Sequence, residues 1–226
     1  RMDFYHFDSK KLDAHWYAPP TSDLPRVFIS ELKVELLTNK AQEIIKKYTN
    51  SIESDPVDAL DLNDIRTVAN FFQTPLWSLP TKEDYENLLK ESEYAAWVIY
   101  NRYYLNHYTI SVHELPAPFN ELHNFNDFLK SIGIKLNSSG GEIKTSTDGL
   151  LLQSSSVAEQ VQATFQFQKT KNIAGSYVEF AQRNPMPEYA HLPSESIKSI
   201  HRREGFEAGN ADKIFESTYT DQINKG

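Results

Sequence analysis

Alternation by twos governs much of the second half of the chain. In "LNHYTISVHEL", residues 105–115, His107, Thr109, Ser111 and His113 fall on one side and Tyr108, Ile110 and Val112 on the other. That is the pattern of a strand with one polar and one apolar face. "VQATFQFQ" repeats it, with Gln162, Thr164, Gln166 and Gln168 together. In "AGSYVEFAQR", Tyr177, Glu179 and Arg183 share a face opposite Ser176, Val178 and Phe180. Near the start, "DFYHFDSKKLDAHWYA" reads as extended up to Pro19–Pro20, and "PRVFISELKVELL" is rich enough in β-branched and aromatic residues to predict a strand.

Between these regions the period becomes helical. "NKAQEIIKKYTNSI" and "NDIRTVANFF" predict two helices, and "TKEDYENLLKESEYAAWVIYNRYY" predicts the longest one. It opens at Thr81, with Asp84 three residues on as a variant of the capping box. "PFNELHNFNDFLKSIG" predicts a further helix stopped by Gly133. "IKLNSSGGEIKTSTDGLLLQSSS" predicts two extended runs around Gly140–Gly141, with a second turn at Asp148–Gly149. The tail reads as mostly helical, through "PSESIKSIHRR" and "NADKIFEST". Residues 104–183 thus read as strand, helix and three or so strands, a half-open sheet with a helix on its outer side. The polar strand faces meet either solvent, as on most antiparallel sheets, or a concave wet cavity of the kind that holds small molecules.

Composition narrows the chemistry. The 226 residues contain no cysteine, which removes disulfides, thiolate zinc sites, iron–sulfur clusters and cysteine nucleophiles. A transition-metal site must then be built from imidazole and carboxylate. The formal charge of −8 opposes binding to phosphate backbones, and the one basic cluster, "HRRE" at 201–204, is too short to reverse that. No apolar run approaches the roughly 20 residues of a membrane span. We therefore expect no nucleic-acid or membrane partner, and a cytoplasmic location, or a plastid one in a plant. The charged start "RMDFYHFDSKK" has no signal-peptide pattern and no initiator methionine, so we expect a fragment or a chain that begins after another segment.

Candidate chemistry gathers on the polar faces. His107 and Glu179 lie on the first and last strands of the 104–183 unit, and in a curled sheet the two ends can approach. Two histidines and one carboxylate on an octahedral ion leave three positions open, the facial arrangement used for Fe(II) and O2 chemistry. On spacing alone a strand histidine such as His107 is more often hydrogen-bonded or exposed than a ligand, and Glu179 more often an ion-pair partner. His113, beside Glu114 and Pro116, reads as a supporting or surface residue. "HELPA" is no zincin motif, because Ala117 stands where a second histidine is needed. Asp55, Asp58, Asp61 and Asp64 lack the glycine and closing glutamate of a calcium loop. No phosphate-cradling glycine loop or nucleophile elbow is present. Arg183 reads as a clamp for an anionic substrate or as a strand-end ion pair. Asn210, after Gly209 where the chain turns into a helix, reads as an anion site or as an ordinary N-cap.

Taken in order, "RVFISEL", "ESEYAAW", "LNHYTIS", "DGLLLQSS", "YVEFAQR" and "GFEAGNADKIFEST" closely resemble the 2-oxoadipate dioxygenase/decarboxylase family, also called 2-hydroxyglutarate synthases, over nearly the whole chain. The resemblance implies an α+β vicinal-oxygen-chelate fold, paired βαβββ units curled around a metal. It divides the chain into later strands of a first unit (1–38), a helical insertion (39–103), a second βαβββ unit (104–183) and a mostly helical C-terminal segment (184–226). It also implies an Fe(II) centre in which His107 and Glu179 match the second and third ligands. The family's first histidine and a substrate-gripping arginine would lie upstream of residue 1. Gly209 and Asn210 match positions lining the substrate pocket. The implied reaction turns 2-oxoadipate and O2 into 2-hydroxyglutarate and CO2, late in lysine breakdown. Two rivals are a non-catalytic small-molecule binder and a zinc- or nickel-dependent isomerase or hydrolase on the same metal cup. Oligomeric state is not legible.

Overall fold

A computed structural model describes residues 2–21 and 23–224. In chain order its strands and α-helices are β1 (Met2–Phe7), β2 (Leu12–Tyr17), β3 (Val27–Leu32), α1 (Asn39–Thr49), α2 (Ile65–Phe71), α3 (Lys82–Leu89), α4 (Glu93–Asn101), β4 (Thr109–Ser111), α5 (Leu122–Ser131), β5 (Lys144–Thr145), β6 (Leu151–Ser155), β7 (Gln160–Thr164), β8 (Thr170–Ala174), β9 (Glu179–Arg183), α6 (Ala208–Ile214) and α7 (Thr220–Asn224). The class is α+β, as expected. The chain forms two compact units, one of residues 1–31, 107–159 and 174–226, the other of 32–106 and 160–173.

The first unit holds two sheets. One is β1-β2-β3, in which β1 and β2 pair antiparallel from Met2↔Tyr17 to Phe7↔Leu12. Its strands bury alternate residues, notably Phe7, Leu12, Ala14 and Trp16. The other has the order β4-β9-β6-β5, with β4 parallel to β9 and the remaining pairs antiparallel. In chain order that is strand, helix and three strands with first and last adjacent, the βαβββ arrangement. Helix α5 lies on one face of this sheet, where Leu122, Phe125 and Leu129 pack against Val112 and Phe180. Glu121 supplies no side-chain cap to α5. Instead Gln182 on β9 accepts the Leu122 N–H at 2.6 Å, satisfying a donor that a helix start leaves free. The helix ends before Gly133, whose φ of +88° suits glycine.

On β9 the alternation is complete and both faces are buried. Phe180 and Gln182 look toward α5, while Glu179, Ala181 and Arg183 share the opposite face with Gln153 and Ser155 of β6. At β6 that polar face meets the C-terminal segment and not solvent. Ser155 Oγ lies 2.9 Å from Ser217 Oγ, and Asn210 Nδ2 donates to Gln153 Oε1 at 3.0 Å. Buried polar groups are tolerated there because they pair with one another.

The second unit is built on α1, α3 and α4. Ile44, Ile45, Tyr48, Tyr85, Leu88 and Ile99 form its core together with Ala163, Phe165 and Ile173 from the β7–β8 segment. Two expectations change here. The longest predicted helix is two helices, because the chain leaves α3 at Lys90 and Ser92 adopts an extended backbone (φ −149°, ψ 111°). Its side chain accepts the Ala95 N–H and starts α4. The "VQATFQFQ" strand ends at Thr164; Gln166–Gln168 form a tight turn, with Phe167 at φ +59°. Strands β7 and β8 pair with each other in a separate two-stranded sheet.

Candidate functional site

The opening alternation is a strand over only three residues. β4 pairs with β9 at Thr109↔Glu179, Ile110↔Phe180 and Ser111↔Ala181, after which Val112–Glu114 tighten into a 3-10 turn. Pairing in register puts Thr109 and Glu179 side by side on one face, with His107 two residues before Thr109. His107 Nε2 lies 2.9 Å from Glu179 Oε1, and Thr109 Oγ1 donates to Glu179 Oε2 at 3.1 Å. Both side chains of the His107–Glu179 pair are largely withdrawn from solvent, 16% and 10% exposed. The imidazole stacks on the buried Tyr177 ring, with centroids 4.3 Å apart and planes 24° from parallel. Its Nδ1 is buried and has no hydrogen-bond partner.

These residues suit part of a metal site. Imidazole nitrogen and carboxylate oxygen are the donors that borderline and hard divalent ions accept. Adjacent donors on one ion with bonds of about 2.1 Å stand about 3 Å apart, close to the separation of His107 Nε2 and Glu179 Oε1. Among the described residues no group of three or more His, Asp or Glu side chains converges as a ready cage. The pair supplies two donors.

Asn210 and Gly209 sit in the first turn of α6, over the same sheet face. Asn210 is 4% exposed, and its Nδ2 donates to Gln153 Oε1 and, at 3.4 Å, to Lys144 O. The cap position belongs to Glu207, so Asn210 is not the N-cap. A Cβ added at Gly209 would meet nothing within 4 Å, so this backbone borders open space. Lys144, opposite Gln153 in the β5–β6 ladder, is pulled down to about 8 by burial, and its Nζ donates to Asn137 O at 2.8 Å.

Arg183 shares the Glu179 face but stands about 13 Å further along the strand. It is 8% exposed, and its Nη1 donates to the carbonyls of Arg203 (3.0 Å) and Gly205 (2.8 Å), with Glu204 at 3.8 Å. Burial, followed by the charge of Arg26, pulls its guanidinium down to about 10. Arg26 holds Glu204 in a two-point grip at 2.7 and 2.8 Å. His113 is drawn out of the strand alternation: its Nδ1 accepts the Arg183 N–H at 3.2 Å. Burial, then Arg202, lowers its pKa to about 4, so it is neutral near pH 7.

Two features escaped the sequence. Tyr177 was visible as a face-mate of Glu179, but its stacking on His107 depends on a pairing some seventy residues apart. The "HRRE" arginines, dismissed as a phosphate patch, are held by the protein itself: Arg202 Nη1 donates to Arg183 O at 2.6 Å, and Arg203 pairs with Asp148 and Glu207; only their spatial neighbours reveal this.

Comparison with known proteins bears on this geometry. Residues 1–193 match the 2-oxoadipate dioxygenase/decarboxylase family. The chloroplastic 2-oxoadipate dioxygenase/decarboxylase of Arabidopsis thaliana is 44% identical over 99% of this chain, which spans 62% of that protein's length. The hydroxyglutarate synthase of Oryza sativa, solved in complex with 2-oxoadipate, superposes with a TM-score of 0.87 at 44% identity, covering 98% of this chain and 72% of that one. A glyoxalase-superfamily protein from Ralstonia eutropha, 19% identical, shares the fold with a TM-score of 0.70 over 92% of this chain and 65% of its own. Among the described residues no helix is long and apolar enough to cross a membrane. A dioxygenase family points to a metal cofactor. Sequence match and shared fold lead to one assignment: the chain belongs to the 2-oxoadipate dioxygenase/decarboxylase family.

Proposed function

We propose that this protein takes part in the Fe(II)-dependent conversion of 2-oxoadipate and O2 to 2-hydroxyglutarate and CO2. The observation that carries the reading is the 2.9 Å approach of His107 Nε2 to Glu179 Oε1 in a chain of this family. The chain covers 62% and 61% of its curated plant relatives, so the activity assigned is that of the assembled site. In this reading β1–β3 are the later strands of a first βαβββ unit, and the third metal ligand is a histidine upstream of residue 1. Fe(II), when bound, supplies O2 activation coupled to loss of the 2-oxo acid's carboxylate.

The residues present do the rest. His107 offers a neutral nitrogen and Glu179 an anionic oxygen, which hold a divalent ion while leaving it Lewis-acidic. Thr109 and Ser111 keep the wall beside them polar. The Gly209 backbone and the Asn210 amide lie over the same face and bind a substrate carboxylate; Asn210 is already oriented by Gln153. Arg183 adds positive charge to that face and fixes the 203–205 backbone leading to α6, which favours a dianionic substrate over a monoanionic one. The substrate supplies the electrons for O2 reduction: its first carboxylate leaves as CO2, one O2 atom completes the carboxylate formed from the keto carbon and the other becomes the 2-hydroxyl, so no separate reductant is required.

The test is an assay with Fe(II) and 2-oxoadipate, in air and without oxygen. Oxygen-dependent CO2 release with 2-hydroxyglutarate as the other product supports the reading. Bound iron with no CO2 in air rejects it. Activity restricted to Zn(II) or Ni(II) would favour the isomerase or hydrolase rival, and binding without CO2 release would favour the non-catalytic binder.

A further inference from the structure

We infer that Thr109 is a positioning residue that commits Glu179 to bind its metal through a single oxygen, an inference that rests on the metal reading above. The two carboxylate oxygens of Glu179 have different partners: Oε1 faces His107 Nε2 at 2.9 Å, while Oε2 accepts from Thr109 Oγ1 at 3.1 Å. The hydroxyl is delivered by the ladder itself, because Thr109 and Glu179 are directly opposed on parallel strands. The imidazole is already fixed in plane by its stack on Tyr177. What stays soft is the terminal torsion of the glutamate, which is broad and nearly two-fold in this side chain. A donor on one oxygen lifts that degeneracy and leaves the other oxygen toward the imidazole.

Counting positions shows why this matters. Two histidines and one single-oxygen carboxylate leave three of six positions open. A 2-oxo acid bound through its carboxylate and keto oxygens would take two, leaving the last for O2. A glutamate that turned to grip with both oxygens would close that last position. Thr109 thus guards vacancy as well as affinity, and outer partners of this kind commonly change metal affinity roughly 10- to 100-fold.

The test uses the purified protein, Co(II) as the probe metal, and the variants Thr109→Val, Thr109→Ser, Thr109→Ala and His107→Ala. Affinity is read by competition with a chelating dye, and coordination by the visible Co(II) bands. We expect Thr109→Val and Thr109→Ala to weaken Co(II) roughly 10- to 100-fold and to shift the bands. Thr109→Ser should restore both, since it keeps the hydroxyl. Thr109 is exposed and valine favours strands, so folding should survive the change. Wild-type affinity and bands in Thr109→Val and Thr109→Ala would overturn the inference. If wild type binds Co(II) no better than His107→Ala, the metal reading itself fails and takes this inference with it.

Discussion

At the scale of single residues, the site rests on a nitrogen and an oxygen brought together across some seventy positions of chain. Glu179→Gln keeps the size and the Thr109 partner but removes the anionic donor. It should abolish CO2 release while the melting temperature moves by no more than a few degrees; full turnover in this variant would remove Glu179 from the metal shell. His113 carries a separate expectation. Its folded pKa of about 4 lies below the ordinary 6.5, so between these values the unfolded chain takes up a proton that the folded chain refuses. Its share of stability is therefore intact above about pH 6.5 and is lost as the pH falls toward 4, by up to about 3 kcal/mol. His113→Gln, which keeps an acceptor for the Arg183 N–H, should flatten that part of the stability profile in denaturant titrations. An unchanged slope would count against it. The alternation in "LNHYTIS" and "YVEFAQR" made both His107 and Glu179 legible as polar-face residues. Periodicity did not show their contact, because it fixes a face and says nothing about which distant strand lies alongside; the family resemblance alone implied that the two converge. The surroundings of Arg183 were hidden for a related reason: its partners are main-chain carbonyls, which every residue possesses.

At the scale of elements, punctuation was read well at starts and less well in mid-run. Thr81 does cap α3, accepting the Asp84 N–H, and Gly133 and Gly149 do occupy left-handed turns. The break between α3 and α4 was missed because the apolar spacing continues across it, although Ser92 is a residue type that starts helices. Ser92→Ala should cost about 1 kcal/mol by loss of the Ala95 N–H acceptor, measured as a fall in the denaturation midpoint. A neutral result would mean that tertiary packing alone sets the break. Helix α5 makes a stronger demand. Leu122 is 0% exposed beneath the sheet, and Leu122→Ala should cost about 2–5 kcal/mol, since a close-packed core only partly collapses into the space left.

For the whole molecule, the chain enters the helical unit twice, and the second visit is the β7–β8 segment. Sequence reading put "VQATFQFQ" in the 104–183 sheet because it lies between β6 and β9 in order, and it offered no strand over β8. The partners of β7 and β8 were decided instead by Phe165 and Ile173, which join Tyr85, Leu88 and Ile99 in one core. Leu88→Ala should therefore quicken amide hydrogen exchange in residues 160–173 together with that in α1, α3 and α4. A hairpin that stays protected while those helices open would refute this. Strand β9 has a different implication, one for protein engineers. It sets the proposed metal-binding acid next to a core phenylalanine, so a one-residue slip would exchange them. Randomising consecutive positions here would mostly yield misfolded clones, whereas varying every second codon would alter reactivity while sparing the face packed on α5.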